Sequence, residues 1–195
     1  DIGTGTGLIA LMLAQKIPTA KIYAIERNEA AFTQAKENIL ISKWSNQIQT
    51  HHIDLQDFMQ SSDLKFDALV CNPPYFIKGW RVEDVARKMA RDADHLPHEL
   101  LIAACKHLLN TVGHLYIILP VTEAMLFEDA AKANGYFCNR KTNVITREGQ
   151  QPKRVLMDFS STENLTEIET LTIADAENNY TNIYKNLTAD YYLNF

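Results

Sequence analysis

The chain has 195 residues, 46% of them hydrophobic and 22% charged, with 19 Lys and Arg against 24 Asp and Glu. This composition excludes disorder, collagen and coiled coil, and no apolar run approaches the roughly 18 to 20 residues of a membrane span. Cys71, Cys105 and Cys138 are too few and too far apart for a disulfide framework or a paired-cysteine metal knuckle, so a core held by apolar burial in a reducing, cytoplasmic setting is expected.

The chain opens without Met, directly into the glycine-rich loop Asp1-Ile2-Gly3-Thr4-Gly5-Thr6-Gly7. A loop of this kind needs a preceding strand to aim its backbone, so the first strand is expected to be truncated. An apolar helix follows over 8–16 and stops before Pro18. A buried strand over 21–26 ends in Glu26, helical spacing returns over 29–41, and a short strand covers 48–52. The strand 66–71 runs into Asn72-Pro73-Pro74-Tyr75. Pro97 opens a helix to about residue 109 that Gly113 is expected to break, and 115–119 reads as strand and 123–133 as helix. Strands over 136–146 and 155–159 are joined by a Gly149-Gln150-Gln151-Pro152 turn without a helix, hence antiparallel.

This order predicts a doubly wound, mostly parallel α/β sheet of Rossmann-like type with an antiparallel C-terminal hairpin. Residues 1–160 form the core and 161–195 an acidic extension of the same domain. Such sheets bind ligands beyond the carboxyl ends of their strands, and every motif below falls at such an end.

Gly3, Gly5 and Gly7 let the backbone approach a ligand closely, and the helix that follows presents unpaired N–H groups. The GxGxG spacing puts Leu8 where the dinucleotide fingerprint GxGxxG has its third glycine, which disfavours a nucleotide-dependent oxidoreductase. Glu26, at the end of the second strand, is placed to accept both hydroxyls of a ribose. Asp54 and the Leu55 backbone can meet an adenine, although an aspartate after a short strand is more often a turn residue or helix cap. Asn72 and the Pro73 carbonyl are rigid acceptors for a planar amino group, whose nitrogen then becomes nucleophilic, and Tyr75 offers a stacking face. His95, His98 and Glu99 lack a third ligand at metal spacing, and no metal is expected.

Charge is unevenly placed. Residues 155–195 carry seven acids and one Lys, whereas the stretches 76–91 and 139–154 are basic through Lys78, Arg81, Arg147 and Arg154 among others. The basic stretches suit phosphates, with the acidic tail expected to pack elsewhere.

On these motifs the chain resembles the class I S-adenosylmethionine-dependent methyltransferases that carry Asn-Pro-Pro-Tyr. It is most similar to the bacterial tRNA(Val) adenine-37 N6-methyltransferases, which the stretches 72–76, 96–101, 152–160 and 184–193 also resemble. The resemblance implies S-adenosylmethionine as cofactor, with its methionine part held by Asp1, Gly3, Gly5 and Gly7, its ribose by Glu26 and its adenine by Asp54 and Leu55. Asn72, Pro73 and Tyr75 would act on the target base, with Pro74, Tyr75, Phe76, Lys78, Arg81, Arg147 and Arg154 binding RNA. It implies a monomer acting on tRNA next to the anticodon. The alternatives are a glutamine N5-methyltransferase acting on a release factor and a non-catalytic RNA-binding module.

Overall fold

The computed structural model describes residues 1–73 and 96–192. Its elements are α1 (Leu8–Lys16), β1 (Ile22–Glu26), α2 (Glu29–Leu40), β2 (Ile48–His52), α3 (Leu55–Ser61), β3 (Phe66–Cys71) and α4 (His98–Leu108). They continue with β4 (Leu109–Pro120), α5 (Val121–Ala133), β5 (Phe137–Arg147), β6 (Arg154–Ser160), β7 (Glu167–Ala174) and α6 (Asn182–Thr188). Strands pair in the order β3-β4-β6-β5-β7, with β1 and β2 as a separate parallel pair. Ile2 forms parallel bridges to Ile25 of β1 and Cys71 of β3 and joins the two parts. Among the described strands β6 alone runs against the rest, antiparallel to both β4 and β5. The expected α/β sheet and its terminal hairpin are both present.

Helices cover both faces. On β1, Ile22 and Ala24 pack with Ala10, Ala14, Ile39 and Ile48 beneath α1 and α2. Ile25, of opposite parity and so on the other face, joins the larger cluster under α3, α4 and α5. Phe127 and Phe159 are fully buried there in an edge-to-face pair with centroids 5.2 Å apart, so truncating either to Ala would cost about 3–5 kcal/mol.

Two expectations are corrected. Gly113 does not end a helix: α4 stops at Leu108 and β4 begins at once, with Gly113 inside it where the β3–β4 register shifts between Phe66 and Ala68. A Cβ there would lie 3.0 Å from the carbonyl oxygens of Asn110 and Phe66 and from Leu109 Cδ2, so close backbone approach is what selects glycine. The acidic tail, in turn, does not pack away from the basic stretch 139–154. It supplies β7, which runs parallel along β5 and sets Glu167 beside Arg140 and Ala174 beside Arg147.

Candidate active site

The loop, β1, β3, β4 and the β5–β6 hairpin all meet at one edge of the sheet. β3 and β4 run parallel to Ile2 and β1, and the pairings of Pro120 and Val144 with Arg154 bring the hairpin tip to that same edge.

The glycine-rich loop is held from both sides. Ile2 N–H donates to the Val70 carbonyl at 2.8 Å, Ile25 N–H to Asp1 at 3.0 Å, and Thr4 N–H to Ile25 at 3.0 Å. Thr4 Oγ1 donates to Asp1 Oδ2 at 2.5 Å, and Asn38 Nδ2 ties α2 to the Thr6 carbonyl at 2.9 Å. Gly7, with φ 86°, is the N-cap of α1, and a Cβ there would press on Ile39 Cδ1 at 3.3 Å. At Gly3 and Gly5 a Cβ would meet nothing within 4 Å, so the loop backbone borders open space.

Glu26 ends β1 nearly buried, with 9% of its surface exposed. Gly5 N–H donates to its Oε2 at 2.9 Å and Asn28 N–H to its Oε1 at 2.8 Å. Each carboxylate oxygen keeps acceptor capacity beyond one bond, so two hydroxyls can still be received. Asp1 Oδ1 is buried without a partner among the described residues, an orphan that asks for a hydrogen-bond donor. An adenosyl compound with a free amine fits this set: a donor for Asp1, a ribose for Glu26, and room over Gly3 and Gly5.

Asp54 is exposed and caps α3, its Oδ1 accepting from Asp57 N–H at 2.8 Å. The cap engages one carboxylate oxygen and leaves Oδ2 directed at no described donor. Leu55 follows as the buried first residue of α3. Both lie one strand from Glu26, because Ile53 N–H donates to the Glu26 carbonyl at 3.0 Å.

Asn72 leaves the end of β3 exposed, and Pro73 is buried behind it. A cavity of about 290 Å³ opens beside Asn72, between Ile9 of α1 and Tyr116, Ile118 and Leu156 of the sheet. Burial pushes the neighbouring Cys71 thiol up to about 12, which keeps it protonated and inert as a nucleophile. Pro74, Tyr75, Phe76, Lys78, Arg81 and His95 lie outside the described residues. His98 faces Glu123 at 3.7 Å and stands edge-on to Phe127. Among the described residues no three His, Cys, Asp or Glu side chains group as metal ligands.

Arg147 and Arg154 flank the hairpin tip. Arg147 donates to the Ala176 carbonyl, which binds the tail to the hairpin; Arg154 is exposed opposite Val144. Sequence reasoning missed Thr4, Asn28 and Asn38. Asn28 was readable, since an Asn before a helix-opening Glu is an N-cap signature and its side chain accepts from Ala31 N–H at 3.0 Å.

A glycine loop entering a helix, an acid ending the next strand and an exposed Asn ending the strand beyond define the ligand edge of a methyltransferase-type α/β domain. A crystal structure of a predicted O-methyltransferase from Agrobacterium tumefaciens matches it with a TM-score of 0.69 over 97% of this chain and 86% of that one, at 15% identity, a likeness of fold. The family model described as methyltransferase small domain matches residues 1–125. A Histophilus somni protein named tRNA1(Val) (adenine(37)-N6)-methyltransferase is 41% identical over all of this chain and 82% of its own length. A Bacteroides thetaiotaomicron protein of the same name is 43% identical over 99% and 81%. The chain belongs to the methyltransferase small domain family and, within it, to the family of these tRNA1(Val) (adenine(37)-N6)-methyltransferases.

Proposed function

We propose that the protein transfers a methyl group from S-adenosylmethionine to the exocyclic N6 of an adenine in tRNA, next to the anticodon, in the cytoplasm. The observation that carries this reading is the meeting of the loop 1–7, Glu26 and Asn72 at one sheet edge. The two relatives above, named for that reaction and similar along the whole chain, support it.

When bound, the cofactor would supply an electrophilic methyl group: its C–S bond would break to leave a neutral thioether as the N–C bond to the amine formed, and the methylated amine would then lose one proton to solvent. Asp1 and the loop would receive its amino-acid end, Glu26 would accept the ribose hydroxyls, and Asp54 with the Leu55 backbone would meet the adenine. Asn72 Oδ1 and the Pro73 carbonyl accept the two hydrogens of the target amine, pulling the nitrogen toward tetrahedral geometry and releasing its lone pair. Buried Pro73 and the β3 ladder fix these acceptors before substrate arrives, and positioning of this kind supplies much of the rate. Tyr75 and the basic residues Lys78, Arg81, Arg147 and Arg154 receive the RNA.

The test is to incubate the protein and labelled cofactor with total tRNA, total rRNA and release factor, then digest to nucleosides and peptides. Label in N6-methyladenosine from tRNA is expected. Label in glutamine of the release factor, or none at all, would replace this reading with a protein methyltransferase or a binding module.

A further inference from the structure

A second helix grips the cofactor loop. Thr6 lies between Gly5, at φ 58°, and Gly7, at φ 86°, and glycine on both sides lets the adjoining peptide planes turn over with little steric hindrance. In the fold the Thr6–Gly7 peptide has one orientation. Its carbonyl accepts from Asn38 Nδ2 at 2.9 Å, and its N–H donates to the Thr4 carbonyl at 3.0 Å. Turned over, that carbonyl would point away from α2. A carbonyl oxygen presented to the carboxylate of an incoming amino-acid end repels it, whereas the N–H groups that open α1 attract it.

Asn38 can hold a carbonyl only if its amide presents nitrogen and not oxygen to Thr6. Gln34, one turn earlier on α2, sets that choice: its Nε2 donates to Asn38 Oδ1 at 3.1 Å and so leaves Nδ2 for the loop. The same helix seats the next residue. Ala35 and Ile39 are buried against Gly7, where a Cβ would lie 3.4 Å from Ala35 Cβ and 3.3 Å from Ile39 Cδ1. At its other end α2 is capped by Asn28, whose N–H donates to Glu26 Oε1 at 2.8 Å. One helix therefore sets the loop in register with Glu26, over about 15 Å between Asn28 and Asn38. Gln34 is exposed and Asn38 half-buried, so neither side chain fills the core.

We propose that Asn38, oriented by Gln34, is a positioning residue for the cofactor: it fixes the Thr6–Gly7 peptide with its carbonyl toward α2 and keeps that oxygen off the face of the loop that meets the amino-acid end. This rests on the S-adenosylmethionine reading above and assigns the order of the loop to a pair of side chains that touch no ligand.

The test uses the full chain and its Asn38→Ala, Asn38→Asp, Gln34→Glu and Gln34→Lys variants. Each is titrated with S-adenosylhomocysteine by calorimetry in high salt, which screens the charge added at the surface. Hydrogen exchange of the Gly7 amide is followed without ligand, and urea midpoints are recorded. Asn38→Ala is expected to weaken S-adenosylhomocysteine about 2-fold to 12-fold, the equivalent of one neutral hydrogen bond, and to speed Gly7 exchange. Asn38→Asp should be worse, because a carboxylate oxygen then opposes the Thr6 carbonyl. Gln34→Glu should resemble Asn38→Ala, since an acceptor at 34 draws Nδ2 away from the loop. Gln34→Lys keeps a donor to Asn38 Oδ1 and should restore wild-type affinity. Variants that bind S-adenosylhomocysteine as wild type does would overturn this inference alone, and a fall in urea midpoint without a change in affinity would show a packing role and overturn it too. Equal behaviour of Gln34→Glu and Gln34→Lys would remove Gln34 from it. A wild-type protein that binds no S-adenosylhomocysteine would overturn the cofactor reading and this inference with it.

Discussion

The main-chain N–H of Gly5 donates to Glu26 Oε2 at 2.9 Å, so the loop and the acid 21 residues away form one unit before any ligand binds. Glu26 accepts a second N–H, from Asn28, and therefore needs an acceptor at both oxygens. Glu26→Gln keeps the shape but turns one acceptor into a donor facing an N–H. Losing a charge-assisted acceptor of about 1.5–3 kcal/mol should weaken S-adenosylhomocysteine binding roughly 10-fold to 150-fold by calorimetric titration. An unchanged dissociation constant would remove Glu26 from the site.

Asn72→Ala should act on the chemical step instead. One preorganised acceptor of developing charge is worth about 2.7–4 kcal/mol, so methylation at saturating substrates should fall roughly 100-fold to 1000-fold while cofactor affinity changes little. A variant turning over at more than half the wild-type rate would assign the amine to another acceptor.

Gly113→Ala should destabilise the fold without touching the ligand edge. Its new methyl would crowd two carbonyl oxygens and a leucine methyl at 3.0 Å, and overpacking of this kind costs about 1–3 kcal/mol. A lower urea midpoint with an unchanged slope is expected; an equal midpoint would mean that the β3–β4 irregularity yields freely.

Alkaline pH should unfold the protein partly through its thiols. Burial pushes Cys71 and Cys105 up from 9.0 to about 12, and Cys138 to about 11. Folded values above unfolded ones mean a stabilisation fully present below pH 9 and lost as pH rises toward those folded values. The slope is at most about 1.4 kcal/mol per pH unit for each thiol. Urea titrations between pH 8 and 10 should show a shallower decline for Cys71→Ala than for wild type. Parallel declines would place the loss in other groups.

The sequence was most legible where local and tertiary preferences agree. The helix Leu8–Lys16 and the strands Ile48–His52 and Phe66–Cys71 have the expected bounds, because apolar runs there end at Pro18, Asp54 and Asn72. Glu26 and Asn72 could be placed together in advance because the strands they close were readable, and parallel strands end at one edge whatever the details of packing. Gly113 was misread because a glycine after a helical run looks like a terminator, and only the neighbouring carbonyl of Phe66 reveals its role. α3 has seven residues and too few apolar positions to show a period, so Asp54 alone marked its start. The strand β7 was hidden because Ile168 is exposed and Leu171 buried, which breaks the alternation that identifies strands.

The pairing of β7 with β5 gives the tail's acidity a meaning apart from substrate. Without it, the 11 residues of β5 would form the outermost strand, a long row of bare amides and carbonyls able to recruit another chain. The cover is itself guarded, since β7 carries Glu167 and Glu169 exposed on the new border and like charges repel a second copy approaching edge to edge. Net negative charge in this segment thus works as colloidal protection. A version of the chain cut after β6 would lose both the cover and the guard, and self-association would follow before any loss of catalytic groups.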